Sequence, residues 1–196
     1  MVRYTKPKVT VAIISIVALL ALSNLIISSL SQIHGQLLDP TSNQSNSSVG
    51  KITEIHLGNF RPLAVADNPN TGKIYVANMG SNNLSVIDSK TNNVTQVRVE
   101  AYPSAIAVNP NTNKVYMTDF SSNTVSIMNG DSNNVTKVGV GKHPIAIAVN
   151  PNTNKIYVAN RDSNAVSVID AKTNNVTQVK VGNSPGYVAV NPHTNK

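Results

Sequence analysis

The sequence contains no cysteine and no tryptophan, and only two of its 196 residues are phenylalanine. The absence of cysteine excludes disulfides and every Cys-ligated metal centre, so rigidity must come from packing. Charged residues make up only 13% of the chain, and the formal net charge of +7 includes three basic residues among the first eight. The remaining charges are scattered rather than gathered in a basic stripe, so no nucleic-acid partner is expected.

The sequence does contain an internal repeat of 41 residues, and each copy begins at an Asn-Pro dipeptide. The copies start at Asn68, Asn109, Asn150 and Asn191, without a gap. A constant period of this length indicates a protein built from stacked copies of one structural unit.

Each complete repeat contains four short apolar runs separated by Asn, Gly, Ser and Asp. In the second repeat the runs are Ser104–Asn109, Lys114–Asp119, Thr124–Asn129 and Val135–Val140. Runs of this length that are rich in Val and Ile are typical of β-strands, so the pattern predicts an all-β protein. A four-stranded sheet of this size cannot bury both faces alone, and a ring of stacked sheets is a β-propeller. An open β-solenoid is the alternative.

Two repeated positions predict turns. Gly72 and the matching Asn113, Asn154 and Asn195 follow each Asn-Pro, and Gly and Asn are the residues that best tolerate a positive φ. Asp88 and Asp170 recur at the end of the third strand, where Asn129 replaces them. We interpret this second position as a turn cap and not as a catalytic site.

Three tetrads in the second strands carry a family resemblance. Tyr75–Asn78, Tyr116–Asp119 and Tyr157–Asn160 resemble the Tyr-Val-Thr-Asn signature of the YVTN β-propeller repeat family, in register with the 41-residue period. The resemblance covers residues 51–196. It implies a prokaryotic cell-surface or secreted propeller, such as archaeal surface-layer-type proteins, often with seven blades. It transfers no catalytic residue to this sequence.

The repeats divide the C-terminal region into blades. We expect complete blades at 62–99, 103–140 and 144–181, an incomplete blade from 185, and an opening strand at Lys51–Leu57. The sequence ends at Lys196, inside the hairpin of the fourth copy. We therefore predict a C-terminally truncated fragment of a longer reading frame; closure of a ring between molecules is the alternative.

The N-terminal region is expected to direct export. Residues 1–8 carry Arg3, Lys6 and Lys8 and no acid, and residues 9–30 carry no charge. A basic tail before an apolar run of this length predicts a transmembrane signal-anchor, or alternatively a cleaved signal peptide followed by secretion. The positive-inside rule leaves residues 1–8 in the cytoplasm and places residues 31 onward at the cell surface. Residues 31–50 are rich in Ser, Asn and Gln and predict a flexible linker.

The connections at one end of the blades are the expected recognition surface, because they vary between repeats while the framework stays constant. The candidate ligand-binding residues in or beside these connections are Phe60, Arg61, Tyr102, Phe120, Lys142, His143, Arg161 and Tyr187. His143 is the only histidine in a blade-to-blade loop. A metal or haem site needs at least two or three converging ligands, so no metal, cofactor or catalytic residue is expected.

Six Asn-x-Ser/Thr sequons are candidate sites of N-glycosylation. They lie at Asn43, Asn46, Asn83, Asn93, Asn134 and Asn175. The last three occupy one repeated position, between the third and fourth strands.

Two functions from different classes fit these features. The first is a membrane-anchored cell-surface propeller that acts as a binding or scaffold module, surface-layer-like, for a surface protein or polysaccharide. The alternative is an exported enzyme or oxidoreductase subunit, lactonase-like, lyase-like, or dependent on quinone or haem, whose catalytic residues lie in blades beyond this sequence.

Overall fold

The computed structural model describes residues 54–57, 60–100 and 102–195. The chain divides into two compact units, 1–56 and 57–196, and only residues 54–56 of the first are described. The basic tail, the apolar run at 9–30 and the linker all lie outside the described residues. Within the described residues, no helix is long and apolar enough to cross a membrane.

The second unit consists of three antiparallel sheets of four strands each, and in every sheet the strands pair in chain order. Sheet 1 comprises β1 (Pro62–Asn68), β2 (Lys73–Asn78), β3 (Asn83–Asp88) and β4 (Val94–Arg98). Sheet 2 comprises β5 (Pro103–Asn109), β6 (Lys114–Asp119), β7 (Thr124–Asn129) and β8 (Val135–Gly139). Sheet 3 comprises β9 (Pro144–Asn150), β10 (Lys155–Asn160), β11 (Ala165–Asp170) and β12 (Val176–Lys180). The predicted all-β fold with four-stranded, blade-like sheets is confirmed.

The hydrophobic cores lie between neighbouring sheets, as expected for sheets that cannot bury both faces alone. Tyr75 and Leu84 of sheet 1 pack in one cluster with Met117 of sheet 2. Tyr116 of sheet 2 packs in a second cluster with Ile156 of sheet 3. All five side chains are buried. Burial of an apolar side chain such as Leu84, Met117 or Ile156 stabilises the fold by about 1.5–3 kcal/mol.

The face of sheet 3 that points away from sheet 2 is less covered than its counterparts. Val125 and Ile127 in β7 are buried, whereas the matching Val166 and Val168 in β11 are only half-buried. The same face therefore still presents apolar surface in sheet 3.

Every connection between strands contains a residue in the left-handed region. Gly72 has φ +68°, and twelve other described residues also have positive φ. Nine of the twelve are asparagines: Asn82, Asn92, Asn113, Asn123, Asn133, Asn154, Asn164, Asn174 and Asn195. Asparagine tolerates this conformation better than other residues with a Cβ, which explains the high Asn content of the repeat.

The partial units at either end of the repeats form less regular structure than expected. Residues 54–57, the described part of the expected opening strand, form no strand. Residues 185–190 of the fourth copy also form no strand, none of the described strands pairs with them, and Tyr187 is 96% exposed. The Asn-Pro turn of this copy does form, at residues 192–195.

Candidate functional site: the loop face

The two ends of the sheets carry different kinds of connection. The turns that join first to second and third to fourth strands lie at one end, here called the hairpin face. The turns that join second to third strands, and the loops that join one sheet to the next, lie at the other end, here called the loop face. This separation follows from the antiparallel order of the strands.

Asparagines on the hairpin face join neighbouring sheets. The buried side-chain amide of Asn68 donates a hydrogen bond of 2.9 Å to Oδ1 of Asn113 in the next sheet. The same bond recurs from Asn109 to Asn154 at 3.0 Å. It recurs a third time between the Asn150 and Asn195 side chains at 3.2 Å. The Asn of each of the first three Asn-Pro dipeptides thus connects two repeats.

Two further contacts repeat at the same interface. The Asn70 side-chain amide donates to the carbonyl of Pro110 at 2.9 Å, and Asn111 and Asn152 make the matching bonds. Nζ of Lys114 donates to the carbonyl of Ala171 at 3.2 Å. The polar groups of the Asn-Pro segment are therefore engaged in holding sheets together. Sequence reasoning missed this role, although these Asn residues recur in the three complete repeats.

On the loop face, a second asparagine position of the repeat holds the loops that join the sheets. Oδ1 of Asn123 accepts a hydrogen bond of 2.9 Å from the backbone N–H of His143, in the loop that leads to the next sheet. Asn82 and Asn164 accept the matching bonds from Tyr102 and Ser184. Each sheet-to-sheet loop is thereby fixed to the preceding sheet.

Tyr102 and His143 adopt a conformation that is unfavourable for their residue types. Their φ angles are +59° and +51°, and most of the other left-handed positions in the structure are Asn. A bulky residue at positive φ costs roughly 1–2 kcal/mol relative to a relaxed backbone. These two side chains are thus placed at the loop face against the local backbone preference.

Four side chains on the loop face form one connected group, here called the His143 cluster: Phe120, His143, Arg161 and Asp162. The rings of Phe120 and His143 stack, with centroids 4.4 Å apart and an interplanar angle of 13°. The Arg161 guanidinium carbon lies 5.2 Å from the centroid of the Phe120 ring. Asp162 links His143 to Arg161. Its Oδ2 lies 2.5 Å from His143 Nδ1, and its Oδ1 accepts a hydrogen bond from Arg161 Nε at 2.8 Å.

The cluster combines fixed charges with an exposed surface. The hydrogen bond from Arg161 is the largest cause that lowers the pKa of Asp162, and the hydrogen bond from His143 is the second. This carboxylate therefore remains ionised at neutral pH. The side chains of His143, Arg161 and Asp162 are 39%, 44% and 41% exposed. Lys142 is exposed beside them, and its backbone N–H donates to Ser163 Oγ at 2.6 Å. The cluster can therefore present an aromatic pair together with cationic groups to a ligand.

The remaining candidate residues do not join the cluster. Arg61 packs on the second-to-third-strand turn of sheet 1, where a Cβ at Gly80 would lie 3.2 Å from its side chain. Tyr102 is half-exposed, and its carbonyl accepts from the Phe120 N–H at 3.0 Å. Phe60 is half-buried. Tyr187 is almost fully exposed. The sequence thus identified Phe120, His143 and Arg161, but not Asp162 as the residue that links them.

A buried polar position recurs at the end of each second strand, near the loop face. The side-chain amides of Asn78 and Asn160 each donate to a buried serine hydroxyl at 2.8 Å. Asp119 takes this position in sheet 2 and accepts from Ser126 Oγ at 2.8 Å. Burial raises the pKa of Asp119 to about 6, against the opposing hydrogen bonds from Ser126 and Thr124. This position is a structural element of the repeat, and the described residues contain no group of three or more His, Cys, Asp or Glu side chains that could hold a metal ion.

Comparison with known proteins identifies the fold only. No protein-family model and no curated protein matches the sequence. The predicted membership of the YVTN family is therefore not supported by a family match. Solved structures do match the chain. The three described next are less than 25% identical to it, so they show the fold alone.

Three of these structures illustrate the likeness. Hydrazine synthase of Kuenenia stuttgartiensis is 24% identical, with a TM-score of 0.64 over 74% of this chain and 43% of that one. A functionally unknown protein from Desulfotomaculum acetoxidans is 17% identical, with a TM-score of 0.62 over 75% of this chain and 51% of that one. U3-55K is 12% identical, with a TM-score of 0.61 over 69% of this chain and 43% of that one. The chain thus spans about half or less of the length of these structures, and its fold is β-propeller-like.

Proposed function

We propose that this chain is a YVTN-type β-propeller, exported to the cell surface, that acts as a binding module through its loop face. The His143 cluster carries this proposal, because an aromatic pair, an arginine and a carboxylate are organised together on exposed loops. The tetrads in β2, β6 and β10 and the basic-then-apolar N-terminus support the family and the export. A surface-layer-like role is compatible with the same features.

The hairpin face and the loop face have different roles in this proposal. On the hairpin face, Asn68, Asn109 and Lys114 are engaged in bonds between sheets. On the loop face, the framework bonds use backbone groups and the asparagines of the turns. The exposed side chains of His143 and Arg161 are therefore not needed to hold the sheets together and can meet a ligand, while Phe120 supports both of them. Binding residues on loops of a rigid scaffold are typical of protein recognition surfaces.

The chemistry of the cluster fits a polysaccharide that carries carboxylate groups. Aromatic rings provide an apolar face against which the C–H face of a sugar can pack. Arg161 uses Nε to hold Asp162, which leaves its terminal nitrogens to pair with a carboxylate in the geometry that a guanidinium favours. Lys142 adds a second positive charge next to this group.

Binding of the purified full chain to polygalacturonate, with neutral dextran as the comparison polymer, tests this proposal. We expect Phe120→Ala and Arg161→Ala each to weaken polygalacturonate binding about tenfold or more, which corresponds to about 1.4 kcal/mol. Lys172→Ala removes one positive charge from the hairpin face and should change the affinity less than twofold. Equal loss of binding in all three variants, or no binding by the unmodified chain, would contradict the proposal.

Export is tested separately at the N-terminus. Cell fractionation should place the chain in the membrane or outside the cell. An intact N-terminus in the mass spectrum of the mature chain supports a membrane anchor, whereas a start near residue 23 supports a cleaved signal peptide. Recovery of the chain from the cytosol would contradict both.

The His143–Asp162 pair supports a second candidate function, an exported enzyme. A carboxylate that orients a histidine through Nδ1 is the arrangement used in general-base catalysis. Hydrolysis of lactone or ester substrates by the unmodified chain, lost in His143→Ala, would favour this function over binding. No turnover by the full chain would count against it.

A further inference from the structure

We propose that three asparagines, Asn93, Asn134 and Asn175, carry N-linked glycans, and that Asn83 does not. The proposal rests on the export proposed above but not on the ligand of the loop face. All six sequons satisfy the Asn-x-Ser/Thr motif, with Thr at Asn93, Asn134 and Asn175 and Ser at the other three. The structure distinguishes the four that lie within the described residues by their surroundings.

The three asparagines occupy the same place in the three third-to-fourth-strand hairpins, immediately before β4, β8 and β12. In sheet 1 the hairpin is closed by the backbone bond from Asp88 N–H to the Asn93 carbonyl, at 3.0 Å. The Asp88 side chain accepts from the N–H groups of Lys90 and Thr91, both at 2.9 Å. The hairpin is thus fixed without using the Asn93 side chain.

The side chains at these three positions are accessible. Asn93, Asn134 and Asn175 are exposed. Within the described residues their backbone groups take part in hydrogen bonds and their side chains do not. The hydroxyl residues of the same sequons, Thr95, Thr136 and Thr177, are exposed as well. Many other asparagines of the repeat differ, because their amides bond to the next sheet or their side-chain oxygens hold a loop.

Asn83 lies in a different environment. It begins β3 and is half-buried, and the Leu84 and Ser85 that follow it are fully buried. The Ser85 hydroxyl accepts from the Asn78 amide at 2.8 Å and from Gln96 at 2.9 Å. The hydroxyl of this sequon is therefore inaccessible in the folded chain, and its asparagine is only partly accessible.

The proposed reaction transfers an oligosaccharide from a polyprenyl pyrophosphate donor. The Asn Nδ2 forms a bond to C1 of the first sugar and loses one proton, while the bond from C1 to the pyrophosphate oxygen breaks. The polyprenyl pyrophosphate leaves with the electron pair of that bond. The donor and its transferase are expected in the export compartment, so no redox partner is needed.

The placement of the glycans has two consequences. The hairpins lie on the hairpin face, so the glycans would leave the His143 cluster on the loop face accessible. Each glycan would also stand at the start of the last strand of its sheet, which pairs on one side only among the described strands. Unpaired strand edges favour association between chains, and a bulky hydrophilic group beside them opposes it.

Site occupancy in a secreting yeast culture tests this inference. The full chain is expressed there, and the soluble monomer is purified from the medium. Removal of N-glycans in H₂¹⁸O then marks each occupied asparagine by a mass change. We expect marks at Asn93, Asn134 and Asn175 and none at Asn83. A parallel chain in which a yeast signal replaces residues 1–30 answers the question even if the native N-terminus does not direct secretion.

Two variants serve as matched controls. The triple variant Thr95→Ala, Thr136→Ala, Thr177→Ala should lose all three marks while keeping every asparagine. The triple variant with Ser at the same positions keeps the sequons and should keep the marks. Secreted monomer without a mark at the three hairpins, or with Asn83 occupied to the same extent, would overturn the inference.

Discussion

At the scale of single residues, the most informative position is the buried polar site at the end of the second strands. Asn78 and Asn160 are neutral there, whereas Asp119 brings a carboxyl group into the same buried place. Burial disfavours the ionised form, which is why its pKa lies near 6 rather than at 3.8. We therefore expect the protein to be less stable at neutral pH than it would be with an Asn at this position.

The pKa of Asp119 is raised by about two units, which corresponds to at most about 3 kcal/mol of lost stability when the carboxyl is ionised. We expect Asp119→Asn to recover most of this and to stabilise the protein at neutral pH by about 2 kcal/mol. The folded state binds the proton more tightly than the unfolded state. The stability of the unmodified chain therefore falls as pH rises from about 4 to about 6, and the variant should lack this fall. Urea unfolding at several pH values measures both effects.

The reciprocal change provides the control. Asn160→Asp places a carboxyl group at the matching position of sheet 3 and should destabilise the protein at pH 7.5 but less at pH 4.5. If Asp119→Asn is neutral or destabilising at pH 7.5, the buried carboxylate is stabilised by interactions other than those described.

The asparagines of the loop face offer a second prediction at this scale. Asn123 combines a positive φ of 58° with a side chain that holds the N–H of His143. Asn123→Gly should lose only the hydrogen bond, whereas Asn123→Ala should lose the bond and also strain the backbone. We expect Ala to be about 1 kcal/mol more destabilising than Gly, measured by urea unfolding. Equal losses would mean that the left-handed conformation contributes nothing here.

The residue-level site was predictable only in part. Phe120, His143 and Arg161 stood out in the sequence because they interrupt an otherwise constant repeat. Their grouping did not, because stacking depends on how the turn of one sheet lies against the loop that leads to the next. The role of Asp162 was missed for the same reason.

At the scale of strands and turns, the sequence predicted the architecture well. Within the three complete repeats, the 41-residue spacing and the runs of Val and Ile predict the number and order of the strands and nearly all of their bounds, since the core between sheets selects apolar residues there. The bonds between sheets were not predicted. Asn68 and Asn113 are 45 residues apart, and no local pattern marks two side chains as partners across copies.

These bonds make a prediction about how the sheets hold together. Asn109→Ala removes the partly buried bond to Asn154 and the bond that its Oδ1 accepts from the Asn111 N–H. The expected loss is about 1–3 kcal/mol, because two hydrogen bonds of typically about 0.5–1.5 kcal/mol each are lost. Asn111→Ala removes an exposed bond to Pro151 and should cost less than half as much. Similar losses for both variants in urea unfolding would argue against a special role of the Asn109–Asn154 pair.

At the scale of the whole molecule, stability should grow with the number of stacked units. In repeat proteins each unit adds its own stability and one interface. A second copy of residues 156–196 placed after Lys196 continues the repeat in register, since Lys196 matches Lys155 in the sequence. It would pair with residues 185–191 and cover Tyr157, Val166 and Val168 on sheet 3.

We expect the extended chain to unfold at a higher urea concentration and with a larger dependence on urea, because more surface is buried. Exposure of Tyr187, now nearly complete, should fall. A chain extended by the same residues in scrambled order is the control and should unfold like the original. An unchanged midpoint in the properly extended chain would contradict stacking as the source of stability.

The bonds of the hairpin face have a consequence for how such a gene can change. Every 41-residue segment encodes its own turns and also the donors and acceptors for the segments on either side. A recombination event that duplicates or deletes one whole segment therefore leaves all remaining junctions chemically matched. A shift of the crossover by even one codon would mismatch them, so unequal exchange in register is the route by which lineages can lengthen or shorten this protein without redesigning it.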